Sequence, residues 1–210
     1  MKYRYIVFDI DGTLIDTEYA VLHSLQDTVQ ALNGIEIPLE KLNFALGITG
    51  SDALKNLGIK DIPFAMNLWD KNMSRYTASV TVFDGITELL ENLLRLDYEL
   101  GIITSKTRRE FKDDFCRFSI SQYFKTVICA DDTKEHKPCA APFFKYMELS
   151  GAGCRQILYV GDSEYDSACV QNAETDFALA VWGSHSSTIK ADYYLKEPTD
   201  LLTVINQRDA

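Results

Sequence analysis

The feature that most constrains this chain is an alternation of short, nearly unbroken apolar runs with amphipathic segments. The runs are Tyr5-Ile6-Val7-Phe8, Leu100-Gly101-Ile102-Ile103, Thr126-Val127-Ile128-Cys129, Ile157-Leu158-Tyr159-Val160 and Phe177-Ala178-Leu179-Ala180-Val181. None shows the polar alternation of a strand with one wet face. Strands buried on both faces, as in a parallel sheet, read this way. Between them, Ile86, Leu89, Leu90, Leu93 and Leu94 recur at helical spacing after a candidate cap at Asp84. Pro142, Phe143, Tyr146, Met147 and Leu149 indicate a second helix, and Ala168 to Ala173 a third. The alternation predicts an open, parallel, Rossmann-like α/β sheet with right-handed crossovers and a ligand site beyond the carboxyl ends of its strands.

One stretch breaks the pattern. Residues 16–79 show no convincing strand, but Val21, Leu22, Leu25, Val29 and Leu32 form a helical stripe. Pro38 opens a short helix, Ser51 is placed to cap another, and Pro63 starts a longer one running to Tyr76. Some sixty helical residues are too many for one crossover connection. The expected organisation is an α/β core over 1–15 and 80–210 with an inserted helical cap subdomain over 16–79.

Charge narrows the partners. With 31 acidic and 21 basic residues the chain carries −10, which argues against a nucleic acid, whose phosphates need a basic footprint, and against an anionic membrane surface. Five cysteines lie 10 to 15 residues apart with no C-x-x-C pair, the usage of a reducing compartment. Asp9 interrupts the first apolar stretch too early for a signal-peptide core. A cytoplasmic protein is expected, with monomer and weak dimer both left open.

The chemistry-bearing residues sit at the strand ends. Asp9-Ile10-Asp11-Gly12-Thr13 follows the first run, Thr104-Ser105 the second, Lys137-Pro138 the third, and Gly161-Asp162-Ser163-Glu164-Tyr165-Asp166 the fourth. A calcium loop starting at Asp9 fails, because its sixth and twelfth positions hold Leu14 and Ala20 instead of glycine and glutamate. Each motif alone has a bland reading as a turn or helix start. Together they deliver carboxylates, a hydroxyl and an ammonium to one edge of the sheet.

In that order, Asp9-x-Asp11-Gly12-Thr13, Thr104, Lys137 and Gly161-Asp162-x-x-x-Asp166 resemble the four motifs of the haloacid dehalogenase superfamily. The wording FDIDGTLIDTE, HKP and GDSEYD is most similar to its phosphoglycolate-phosphatase-like branch, which carries a helical cap after the first motif. The resemblance implies a Mg²⁺-dependent phosphatase that acts on a small phosphorylated metabolite through an aspartyl-phosphate at Asp9. Asp11 would be the general acid and base. Mg²⁺ would be held by the side chains of Asp9 and Asp162 and the backbone carbonyl of Asp11, with Asp166 completing the shell directly or through water. Thr104 and Lys137 would hold the phosphoryl oxygens, with Gly12, Thr13 and Ser105 also in the phosphate site. Backbone N–H groups of Asp11 and Gly12 would add donors, and Thr13 would orient Asp9.

Three departures stand out: Ser105 where relatives often have asparagine, Ala140 for a second proline, and Glu174 where a glycine is usual, so that this turn must be made differently. In the cap, Gly47, Thr49 and Ser51 resemble a specificity loop, and Lys55 is placed to meet a carboxylate or second phosphate. The competing reading makes Gly50-Ser51 simply a helix start. Other functions kept in view are a phosphomutase of the β-phosphoglucomutase type, which sugar-bisphosphate dependence would reveal, and a catalytically silent or regulatory phosphate-binding protein. A phospho-aspartate receiver carries its aspartate after the third strand, contrary to the order here. No G-x-G-x-x-G or G-x-x-x-x-G-K-[ST] follows any run, so nucleotide cofactors are not indicated.

Overall fold

The computed structural model describes residues 3–206. Six parallel strands form one sheet: β1 (Tyr5–Phe8), β4 (Glu99–Ile103), β5 (Thr126–Ile128), β6 (Ile157–Gly161), β7 (Asp176–Ala180) and β8 (Tyr193–Leu195), in the order β5-β4-β1-β6-β7-β8. The apolar runs are continuous because successive side chains enter opposite faces. Ile6 and Phe8 of β1 and Leu158 and Val160 of β6 join one apolar layer. Tyr5, Val7, Ile157 and Tyr159 join the other. Each such fully buried side chain contributes roughly 1.5–3 kcal/mol, so the centre of the sheet anchors the molecule.

Helices α4 (Ile86–Arg95) and α8 (Asp200–Asn206) cover the first layer, and α6 (Ala141–Ser150) and α7 (Glu164–Asn172) the second. In α4, Ile86, Leu89, Leu90 and Leu93 are buried, whereas Leu94 is exposed. Its cap position is Gly85, in the left-handed region, and Asp84 does not cap it. Helix α7 begins earlier than its apolar pattern suggests, because Ser163 and Asp166 form a capping box at its start. Glu174 makes the expected glycine turn in the glycine way, at φ +54°. The turn is therefore kept, and the side chain carries strain of about 1–2 kcal/mol.

The stretch after β1 is helical: α1 (Glu18–Asn33), α2 (Gly50–Asn56) and α3 (Ile62–Met73). Pro38 precedes only a 3₁₀ turn, Leu39–Lys41. Thr49, not Ser51, caps α2, and α3 ends at Met73 with Asp61 as its cap and Pro63 in its first turn. These helices close on an apolar cluster of their own that includes Leu22, Leu25, Val29, Leu54 and Trp69. Both chain crossings between this cluster and the sheet run through a two-stranded antiparallel ribbon, β2 (Ile15–Asp16) with β3 (Thr81–Val82). A short helix, α5 (Arg108–Glu110), follows β4 and continues as a π-helical turn over Phe111–Phe115. No described helix is long and apolar enough to cross a membrane.

Candidate active site

After β1 the chain moves to β4 and β5 on one side, then returns to β6 on the other. The switch point of the sheet therefore lies between β1 and β6, where open α/β sheets bind ligands. Asp9 and Asp162, the residues following these two neighbouring strands, are both buried there. The N–H of Asp9 still donates to the carbonyl of Val160 at 2.9 Å, which fixes its place against β6.

Lys137, buried and reaching in from beyond β5, is the cation of the cluster. Its Nζ lies 3.0 Å from Asp9 Oδ1 and 2.7 Å from Asp166 Oδ1, and donates to the Tyr159 hydroxyl at 2.8 Å. Asp166 Oδ2 accepts from Ser163 N–H at 3.1 Å and from its hydroxyl at 2.6 Å, and the Tyr159 hydroxyl stands 3.0 Å from Oδ1. A carboxylate offers about four lone-pair sites, so those of Asp166 are largely filled by protein donors. It holds Lys137 and the start of α7 and has little left for a direct ligand bond.

Oδ1 of Asp9 and Oδ1 of Asp11 are different. Each is buried without a hydrogen bond, although a lysine Nζ lies at ion-pair distance: Lys137 for Asp9, and Lys106 at 3.2 Å for Asp11. Burial pushes Asp9 up to about 7; Lys137 opposes this, and Asp166 and Asp11 add to it. Burial also raises Asp162 well above the carboxylate range, with Asp166 and Asp9 reinforcing it. For Lys137 burial alone would lower the pKa, but Asp166 and Asp9 override it and hold the ammonium charged.

Asp9, Asp162 and Asp166 each place an oxygen within 4.8 Å of the others. One ammonium among three buried carboxylates leaves the cluster short of positive charge, with Asp9 and Asp162 the carboxylates freer to offer hard oxygen donors. The residues fit a divalent cation of the Mg²⁺ type.

Several expected site residues act otherwise than the sequence suggests. The Thr13 hydroxyl donates to Asp162 Oδ1 at 2.7 Å and is fully buried, so it orients Asp162 and neither touches Asp9 nor is free for phosphate. The Gly12 N–H donates to the Ile15 carbonyl at 2.9 Å. At φ +73° a Cβ on Gly12 would stand 2.3 Å from Asp162 Oδ2, so the glycine makes room for that carboxylate. The Ser105 hydroxyl donates to the Gly47 carbonyl at 2.8 Å, joining the sheet edge to the helical insertion. Thr104 is buried and accepts from the Lys106 N–H at 3.2 Å. Thr49 and Ser51 share the start of α2, 3.1 Å apart, with the Thr49 hydroxyl 2.8 Å from Asp52 Oδ2. Lys55 pairs with Asp52 at 2.9 Å. Of that loop, Gly47, Ile48 and Gly50 line the cavity above the cluster, and Thr49, Ser51 and Lys55 do not.

That cavity, about 400 Å³, has Asp9, Asp11, Gly12 and Asp162 on its floor and residues of α1 and α3 opposite. Sequence reasoning missed two of its elements. Lys106, buried between Asp11 and Asp114 (3.0 Å), stands only two residues past Thr104 and was legible as part of the same strand end. The segment after β7 also closes the site: Trp182 Nε1 donates to the Thr13 carbonyl at 3.1 Å, and a Cβ on Gly183 would sit 1.7 Å from the Gly12 carbonyl oxygen. No charged residue marks this fifth strand end, so nothing drew attention to it.

A parallel sheet with buried carboxylates at its switch point, covered by the helices that follow β1, makes the strand ends the candidate site. The chain belongs to the haloacid dehalogenase-like hydrolase family, whose model matches residues 6–180. It is 26% identical over 212 residues to the pyrophosphatase PpaX of Bacillus mycoides, covering 99% of both chains. A Lactobacillus plantarum protein described as a phosphoglycolate phosphatase superposes with a TM-score of 0.89 at 27% identity, over 97% of this chain and all of that one. A Thermotoga maritima protein described as a β-phosphoglucomutase shares the fold, with a TM-score of 0.76 at 18% identity over 98% of this chain and 99% of that one.

Proposed function

We propose that this hydrolase is a Mg²⁺-dependent phosphatase of small phosphomonoesters, with Asp9 as nucleophile. The observation that carries the reading is the Asp9 carboxylate itself. It is buried at the switch point, faces the cavity, and keeps one oxygen without a hydrogen bond. Asp9 and Asp162, with the Asp11 carbonyl, would hold the ion, and Asp166 supports it by fixing Lys137. Bound there, the cation supplies charge that lets an anionic phosphate approach an anionic carboxylate.

In the first step an Asp9 oxygen bonds to phosphorus, the ester P–O bond breaks, and Asp11 gives its proton to the departing alcohol. In the second, water attacks the same phosphorus and gives its proton to Asp11. The bond between Asp9 and phosphorus then breaks, which restores Asp9 as a carboxylate and Asp11 as its acid. Lys137, together with Thr104 at the end of β4, stabilises the charge on the transferring oxygens. Cys169 is no rival nucleophile, because burial pushes its thiol up to about 12. We read 16–79 as a cap on a core of 1–15 and 80–210, hinged at the β2–β3 ribbon and latched where Ser105 meets Gly47. Five free cysteines support a reducing, cytoplasmic setting.

The test is hydrolysis of an aryl phosphate with Mg²⁺, with EDTA, and by Asp9→Asn. Turnover should vanish in EDTA and fall at least about a thousandfold in the variant. A variant that keeps wild-type turnover would remove Asp9 from its role.

A further inference from the structure

The cavity's wall differs from its floor. Asp16, Glu18, Asp70, Glu110, Asp113 and Asp114 are six acidic residues that line it, the Glu110 carboxylate being held by the Thr107 N–H and hydroxyl. Among the described residues, the permanent cations lining it are Lys106 and Arg109. Each is already held by two carboxylates: Lys106 by Asp11 and Asp114, and Arg109 by Asp70 at 2.8 Å and Asp113 at 3.6 Å. His185, the remaining basic side chain there, lies 3.5 Å from Glu18. A bound divalent ion would offset the floor and leave the wall as it is. The crowding is felt at Asp70, whose carboxyl is pushed up by burial, held back by Arg109, and pushed further by Asp114 and Asp113.

The same wall carries an apolar surface of Val21, Ile48, Met66, Trp69, Met73 and Trp182. Methylene groups pack on such a surface, and indole rings attract ammonium ions. Thr17, Ser74, Thr77 and Ser184 add neutral hydroxyls to the lining, but a leaving group with a second phosphate or a carboxylate would meet no cation that is not already paired. Lys55, the one cap lysine that the sequence offered for such a group, is turned to Asp52 outside the cavity.

We propose that the wall selects a cationic leaving group, so that the substrate class is an aminoalkyl phosphomonoester: a phosphate joined by a short carbon chain to an ammonium. This inference rests on the phosphatase reading and deepens it. The alcohol released after protonation by Asp11 is then an amino alcohol. The enzyme would therefore act downstream of a reaction that phosphorylates an amino alcohol or releases an aminoalkyl phosphate from a larger phosphodiester. An anionic group in its place is repelled by the excess of acidic over basic residues along the wall.

The experiment compares kcat/KM of the full chain with Mg²⁺ on O-phosphoethanolamine, propyl phosphate, phosphoglycolate and pyrophosphate, with an aryl phosphate as reference. O-phosphoethanolamine should exceed phosphoglycolate and pyrophosphate by at least about tenfold, with propyl phosphate between them. Asp70→Asn combined with Asp113→Asn, which frees Arg109, should narrow the gap to phosphoglycolate by at least about threefold. Thermal-shift titration of the Asp9→Asn protein gives the same order as binding, independent of turnover. Equal rates on all four compounds, or preference for either anionic leaving group, would overturn the proposal while leaving the phosphatase reading intact if the aryl phosphate is still hydrolysed through Asp9. Failure to hydrolyse any of the five would overturn both.

Discussion

The floor of the cavity and the helical insertion above it are built on opposite principles. At the floor, charged groups are buried and each is set by named partners: Lys137 between Asp9 and Asp166, and Thr13 on Asp162. The insertion has an apolar cluster of its own and meets the rest of the chain through polar contacts, among them Ser105 with Gly47 and Arg109 with Asp70, and through Ala20, Met73 and Tyr76 packed on one apolar layer of the sheet. One region holds chemistry in a fixed geometry at an electrostatic cost. The other holds a replaceable surface over it. On this account the floor determines whether a phosphate is transferred, and the insertion determines whose phosphate it is.

The largest effect should follow from breaking the floor. Lys137→Met leaves three buried carboxylates without their ammonium. It should cost about 3–5 kcal/mol in denaturant unfolding and at least about a thousandfold in turnover on every substrate alike. Leu25→Ala removes a fully buried side chain from the cluster of the insertion. A cost of about 2–5 kcal/mol is expected, read by hydrogen exchange as lost protection in α1 and α3 while β1 and β6 stay protected. If protection falls equally in the sheet, the two regions are one cooperative unit and the contrast fails.

The smallest effect is a pH slope. Asp9 is pushed up to about 7 in the folded chain by burial, well above an ordinary aspartate near 3.9. Between those values the folded state binds more protons than the unfolded state, so metal-free stability falls as pH rises. Melting temperature without metal should decline from pH 5 to pH 7, and saturating Mg²⁺ should flatten the decline. A flat metal-free profile would mean that the cluster is not short of positive charge.

The contrast also explains what could be read from the sequence. The strands β1, β4, β6 and β7 were legible because burial on both faces leaves unbroken apolar runs, the edge strand β5 because its partly exposed residues are still β-branched and lead into Cys129, and the motifs because they stand where those runs end. The two-residue ribbon β2–β3 is too short to carry a period, and the edge strand β8 is three residues set between Asp192 and Lys196. Asp9, Asp11, Lys137 and Asp162 do converge on one edge. Which neighbour each side chain serves was not legible, because Thr13 reaches Asp162 and Ser105 reaches Gly47 across the fold, at sequence separations of 149 and 58. The wall was hidden for the same reason: Asp70 and Asp113 come from different regions and meet only at Arg109.

The central claim is that the phosphoryl group passes through Asp9. Asp11→Asn protein, which lacks the base for the second step, should be mixed with an aryl phosphate and Mg²⁺, quenched in acid, reduced with borohydride and mapped by peptide mass. The account predicts homoserine at position 9, in an amount matching the first turnover of product. Release of one equivalent of product with Asp9 unmodified would contradict it.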